Sequence, residues 1–275
     1  MWPPLLQSRL LRVKNTRFGP LMYNLNDLYI GRSLDLYGEY CIHEARIAMD
    51  LLRPGMTAVD VGANIGALTV PMAQTVGAAG RAIAIEAQRG IFHMLCGNMA
   101  MNDLANVRTI LAAAGSRAGA ISVPRLMLDR PNNLGALSLV PGENAAMDRV
   151  EVITLDSLAL DACHLIKIDV EGMEREVLLG AADTIGRHRP FLYVENDRKD
   201  KSEALLRHLF ELGYRVWWHT PPYYDSNNFY GNTTNVFANT VAINVLCLPK
   251  ERPMNVEGMT EVKDPRERPV RATQG

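Results

Sequence analysis

The stretch AVDVGANIGALTV, residues 58–70, places Asp60, Gly62, Asn64 and Gly66 at alternate positions where a buried strand should hand over to a helix. A plain strand-to-helix turn needs one glycine. A second lets the backbone approach a ligand closely, and the helix N-terminus behind it offers free amide hydrogens. The spacing differs from the G-x-G-x-x-G of nicotinamide dehydrogenases, and Asp60 would repel a diphosphate while suiting an ammonium or sulfonium group. Glu86 follows 20 residues after Gly66, at the end of RAIAIE, where a carboxylate can accept both hydroxyls of a ribose. With Ala87 beside it and Ala114 after a third strand-like segment, these residues form the expected cofactor-binding set.

A second group of acids lies further on. LIKIDVEG puts Asp169 and Glu171 at one expected strand end, and PFLYVEN puts Glu195 and Asn196 at the next. Like charges crowded at adjacent strand ends need a reason, and proton transfer supplies one. Asp169, Glu171 and Glu195 are therefore the expected catalytic residues. The plainer duty for Asp169 is to cap the following helix, with Lys167 neutralising it. Asp169, Glu195 and Asn196 also offer three oxygens at one level, a set that suits magnesium. Direct proton removal by Asp169 or Glu171 is preferred to a metal, because no histidine or further aspartate reinforces that set. His219, ending RVWWH, and Tyr223 and Tyr224 join Asn196 as expected substrate contacts. Both tyrosines lie in TPPYYDSNNFYGNTTNVFAN, a segment long enough without regular structure to suggest a lid.

Strands alternating with helices must position these residues. MTAVDVG, RAIAIEA, VRTILAAAG, HLIKIDV, PFLYVEN and YRVWWHT read as strands, and NTVAINVLCLP closes the series. Helices are expected over 67–75, 88–101, 174–185 and 201–212, with another ending at Leu52 before Pro54-Gly55. That alternation predicts an α/β, doubly wound, mostly parallel sheet. AISVP and RVEVITL, around a connection rich in proline, asparagine and glycine, predict an inserted β-hairpin. The expected organisation is an N-terminal extension with a cofactor-covering helix over 1–53, irregular as far as residue 31 apart from strand-like pieces around Pro20–Leu25, a binding domain over 54–249, and a disordered tail over 250–275.

The chain has 275 residues, 48% of them hydrophobic, and a net charge of -1, which excludes a strong pull toward nucleic acid or anionic membrane. Four cysteines without a C-x-x-C pair read as free thiols of a reducing compartment. No secretory signal and no apolar run of about 18 residues is present, so a cytoplasmic location is expected.

VDVGANIGALTV, AIAIEA and above all LIKIDVEGMEREVLLGA resemble the FkbM family of S-adenosylmethionine-dependent methyltransferases. The resemblance spans roughly residues 58–248. It implies a class I methyltransferase (Rossmann-like) fold with a seven-stranded sheet and an antiparallel last strand. It also implies S-adenosyl-L-methionine as cofactor and O-methylation of a hydroxyl on a small metabolite or glycan, of sugar or polyketide type. Where family members often have a proline after the second-strand glutamate, this chain has Ala87. A nitrogen, carbon or peptide acceptor, a non-catalytic cofactor-binding role and a homo-oligomer all stay open at this stage.

Overall fold

Short runs of valine, isoleucine, leucine and alanine, apolar on both faces, build the centre of the molecule, as strands covered by helices on either side require. The computed structural model describes residues 2–133, 146–252 and 254–269. Its elements are β1 (Leu6–Gln7), β2 (Leu11–Thr16), β3 (Gly19–Asn24), α1 (Ile30–Tyr37), α2 (Ile42–Leu51), β4 (Thr57–Val61), α3 (Thr69–Val76), β5 (Arg81–Glu86) and α4 (Arg89–Met101). Then come β6 (Val107–Leu111), β7 (Ala113–Ala114), β8 (Gly119–Pro124), β9 (Met147–Ile153), β10 (Leu165–Ile168), α5 (Glu174–Leu179) and α6 (Ala182–His188). The chain closes with β11 (Phe191–Glu195), α7 (Ser202–Glu211), β12 (Tyr214–His219), β13 (Asn244–Pro249) and β14 (Thr260–Val262).

The central sheet has eight strands in the order β14-β12-β13-β11-β10-β4-β5-β6. β6, β5, β4, β10 and β11 are mutually parallel, and β13 runs antiparallel between β11 and β12. This is the α/β class I methyltransferase arrangement, with β13 as the antiparallel strand. The order reverses between β4 and β10, and ligands of such sheets bind beyond the carboxyl ends of strands at that point. On one face Val59, Val61, Ile166, Ile168 and Val194 pack with Val177, Ile185 and Leu206 of the helices. On the other, Ala58, Leu165 and Trp217 pack with Ala48, Met72 and Val76. The expected hairpin is present: β8 pairs antiparallel with β9, and β7 joins them in a separate three-stranded sheet. Part of its connection lies outside the described residues.

Three expectations are corrected, the first only in part. The strand-like piece expected around residues 20–25 is β3, but the chain before it is not irregular: β1 and β2 join β3 in a three-stranded antiparallel sheet, and Asn98 of α4 clamps β3 by accepting from Met22 N (2.7 Å) and donating to Met22 O (3.0 Å). The tail expected to be disordered supplies β14, which pairs with β12 as the eighth strand, while Arg268 donates to Ser202 Oγ (3.0 Å) and Lys199 O (2.9 Å). The helix expected over 174–185 is two, α5 and α6. They part at Gly180, where a Cβ would stand 2.0 Å from the Gly115 carbonyl oxygen so that only glycine fits, and Asp156 starts α6 afresh by accepting from Asp183 N (3.1 Å) and Thr184 N (2.8 Å). Among the described residues no helix is long and apolar enough to cross a membrane.

Candidate active site

A cavity of about 320 Å³ opens beyond the carboxyl ends of β4, β5, β10 and β11. Its first half is shaped by the loop after β4. Asn64 adopts a left-handed conformation (φ 51°), with Ile65 N donating to its Oδ1 at 2.7 Å, a device that lets asparagine hold such a turn. This aims the Asn64 amide at Glu86 Oε2 (2.9 Å), while Gln88 N donates to Glu86 Oε1 (2.7 Å). The two amides fix the Glu86 carboxyl at the cavity wall. Burial outweighs them and pushes its pKa up to about 7. Ala87, Ala113 and Ala114, with Ile121 and Val123 of β8, form an apolar lining beside Gln88, so the inserted sheet contributes a wall of the cavity.

Two members of the glycine loop have other duties. Gly62 (φ +76°) lines the cavity, and a Cβ there would fall 1.7 Å from the Asp169 carbonyl oxygen, so only glycine lets the loops after β4 and β10 meet. Gly66 (φ +87°) is not on the wall; it shapes the turn against Leu95 and Met99. Asp60 is not on the wall either. Its fully buried carboxylate accepts from the Thr69 hydroxyl (2.6 Å) and lies 3.3 Å from Lys167 Nζ, so it does not face a ligand cation directly.

The second half is acidic. Asp169, Glu171 and Glu195 each bring a carboxylate oxygen within 4.8 Å of the others. Lys167, itself buried, lies 3.4 Å from Asp169 Oδ2 and donates to Gly62 O (3.1 Å). Arg198 pairs with Glu171. Glu195 Oε2 is sealed from solvent and has no hydrogen-bond partner among the described residues. Burial and the Asp169 charge push Glu171 up to about 7 and hold Glu195 well above the ordinary carboxylate range. Asp169 does not cap α5, which has no side-chain N-cap; Glu174 Oε1 instead braces the turn before it by accepting from Gly172 N (2.8 Å) and Val170 N (3.2 Å), and Asp169 lines the cavity.

The sequence did not single out Glu44, Tyr29 or Asp197, all of which line this cavity. Glu44 lies in the first turn of α2, where an acidic residue is ordinary, but the structure buries it beside Ile42, Ala45 and Ala48. Burial, then Asp169, pushes it up to about 7.

Other expected contacts separate. Tyr223 lines the cavity, edge-on to Tyr29 and Tyr40. Tyr224 instead packs on Tyr37, and Phe229 and Tyr230 pack against Trp2, so most of the supposed lid is fastened to the N-terminal segment. Asn196 is buried beside the cavity without lining it, and Glu171 rather than Asn196 completes the acidic triplet. His219 points to a separate hollow, hydrogen-bonded to the Tyr193 hydroxyl (2.7 Å) and held neutral, its pKa pushed down to about 4 by burial.

The methyltransferase FkbM domain family matches residues 60–216. A comparison with curated proteins finds no match. Among solved structures, a methyltransferase FkbM from Methylobacillus flagellatus is 17% identical (TM-score 0.48), covering 74% of this chain and 50% of that one, so the chain spans about half its length. A precorrin-6y C5,15-methyltransferase from Geobacter metallireducens is 11% identical (TM-score 0.46; 75% and 88% covered). A SAM-dependent O-methyltransferase from Thermotoga maritima is 15% identical (TM-score 0.44; 88% and 79% covered). Likenesses this distant say nothing of the acceptor.

Proposed function

The chain belongs to the FkbM methyltransferase family, and from that premise we propose that it is an O-methyltransferase acting on a hydroxyl of a small metabolite or glycan, with S-adenosyl-L-methionine as methyl donor. The observation that carries the proposal is one cavity with two unlike halves: a single carboxylate, Glu86, among apolar walls, and a cluster of carboxylates at the other end. The donor set fits the cofactor. Ile121, Val123, Ala113 and Ala114 suit a purine, Glu86 can accept ribose hydroxyls, and the acidic half complements an ammonium and a sulfonium. When bound, the cofactor supplies an electrophilic methyl group.

The residues of the chain do the rest. Lys167 ties the loop after β4 to Asp169, so cofactor loop and acidic cluster keep one relative position. Tyr29, Tyr40 and Tyr223 close the side toward α1 and α2 and exclude water. As the acceptor oxygen gains the methyl, its proton passes to a cavity carboxylate. Glu171 and Glu44 have proton affinities near 7, the range in which a carboxyl can both take and return a proton at neutral pH.

The test incubates the protein and S-adenosyl-L-methionine with pooled sugars, polyketides and other hydroxylated metabolites, followed by mass spectrometry. An acceptor gaining about 14 Da, with the methyl on oxygen, is the expected outcome. Methyl found on nitrogen or carbon would overturn the acceptor assignment.

A further inference from the structure

We propose that the hollow between α2, the end of β12 and the segment after β14 is a second ligand site, built for a small organic anion that presents a carboxylate or phosphate group. The hollow measures about 420 Å³ and shares no wall residue with the cavity that holds Glu86. All of its wall lies outside residues 60–216, the span matched by the family, and the ordered tail supplies Glu267 and Arg268. Hollow and cavity are nonetheless neighbours. α2 gives His43 to the hollow and Glu44 to the cavity, and after β12 Pro222 lines the hollow and Tyr223 the cavity.

Arg268 points to an oxyanion. Its guanidinium is fixed in place: Nη1 donates to Ser202 Oγ (3.0 Å) and Glu267 O (3.2 Å), and Nη2 to Lys199 O (2.9 Å). Those bonds leave the Nε–H and a second Nη2–H, and no carboxylate pairs with Arg268 among the described residues. Elsewhere in this chain the same two nitrogens hold a carboxylate. Arg189 Nε and Nη2 donate to Glu251 (2.6 and 3.2 Å), and Arg266 Nε and Nη2 donate to Asp264 (2.9 and 2.5 Å). Arg268 lines the hollow with that pair of donors unused. A guanidinium already anchored by its other hydrogens gives up little freedom on binding, and its fork matches a carboxylate or phosphate.

The rest of the wall is rich in donors and poor in acceptors. The His219 ring is neutral, and with the Tyr193 hydroxyl donating to Nδ1 (2.7 Å) its hydrogen sits on Nε2. Thr220 and Thr260 add hydroxyls, and His43, 3.6 Å from Asp225, adds a second ring. Glu267 is the one acid among the described wall residues, and its Oε1 is engaged by Lys263 N (3.1 Å) and Asp264 N (2.8 Å). Pro221, Pro222 and Met259 offer apolar surface to a carbon skeleton. A cation entering here would meet Arg268 and a single carboxylate, so the donor set selects an anion.

Full-length protein in chloride buffer should be titrated with sodium succinate and, separately, with sodium phosphate at constant ionic strength. Nuclear magnetic resonance of the histidine rings and tryptophan indoles follows the titration. Saturable shifts of His43, His219 and Trp218 are expected, at roughly millimolar affinity or tighter. The anion that binds more tightly identifies the ligand as a carboxylic acid or as a phosphate ester. Arg268→Gln should weaken binding at least ~10-fold through loss of charge-assisted bonds, with S-adenosylhomocysteine affinity unchanged in the same preparation. Should that variant loosen the tail, Arg268→Lys serves in its place, keeping the charge but losing the planar fork, and it too should bind more weakly. No saturable response to either anion overturns the site, and so does equal binding by wild type and a folded variant. Wild-type protein that fills the hollow but does not bind S-adenosylhomocysteine would leave the anion site standing and count against the methyl-transfer reading.

Discussion

Replacing Lys167 with methionine keeps the bulk of a buried side chain and removes the charge between two carboxylates. The two partners are not equal. The Asp60 side chain is 1% exposed and that of Asp169 37% exposed, with Lys167 Nζ 3.3 Å and 3.4 Å away. Without the ammonium, Asp169 can recover hydration, whereas Asp60 keeps, among the described residues, only the Thr69 hydroxyl as side-chain donor. Breaking a buried ion pair by deleting one partner costs about 3–5 kcal/mol. For a domain of this size that lowers the thermal midpoint by roughly 10 °C. Asp60→Asn added to Lys167→Met should restore more than about half of the loss, because the orphaned charge is then gone. Asp169→Asn added to the same background should restore little. Urea and thermal denaturation of the four proteins measure this directly. A Lys167→Met cost under about 1 kcal/mol, or rescue by Asp169→Asn equal to that by Asp60→Asn, would refute the reasoning.

Gly62→Ala should abolish folding or cost several kcal/mol (on the order of 3 or more), because its Cβ would meet backbone 1.7 Å away at φ +76°; soluble yield and thermal midpoint decide, and wild-type values would disprove the close approach. Glu44 should make the ligand-free protein less stable as pH rises. Its folded value near 7, against 4.5 when unfolded, means that its favourable contribution is complete below pH 4.5 and lost by about pH 7. The gap corresponds to about 3 kcal/mol, and Glu44→Gln should flatten the stability profile over that window; an unchanged slope would remove Glu44 from it. Tyr223→Ala should raise the KM for the acceptor, while Tyr224→Ala should lower stability and leave the KM alone, and the reverse pattern would return Tyr224 to the site.

The sheet was legible because its strands are short apolar runs ending in chemically unusual residues. Asp60, Glu86, Asp169 and Glu195 mark four adjacent strand ends, and Glu86 and the acidic triplet stand where strand order places them. Asp60 misled for a physical reason: sequence gives the position of a carboxylate along a strand but not the side to which it turns. Its partner Lys167 is its direct neighbour in register, facing inward from β10. Glu44 was hidden by the opposite effect, since a glutamate near a helix start usually needs no explanation. The supposed lid and the supposed loose tail share a cause. Tyr224, Phe229 and Tyr230, like β14, gain their order from residues far away in the chain, and local composition carries no trace of those partners. The break between α5 and α6 likewise has a distant partner, Asp156, which accepts from Asp183 N and Thr184 N at the start of α6.

The central claim is that the half of the cavity around Glu86 holds S-adenosyl-L-methionine. Isothermal titration of the purified protein with S-adenosylhomocysteine, beside Glu86→Ala, tests it most directly. Saturable one-to-one binding is predicted for the wild type, weakened at least ~10-fold in the variant by loss of charge-assisted hydrogen bonds worth on the order of 1.5–3 kcal/mol each. Tight binding of NAD with no heat from S-adenosylhomocysteine would contradict the account.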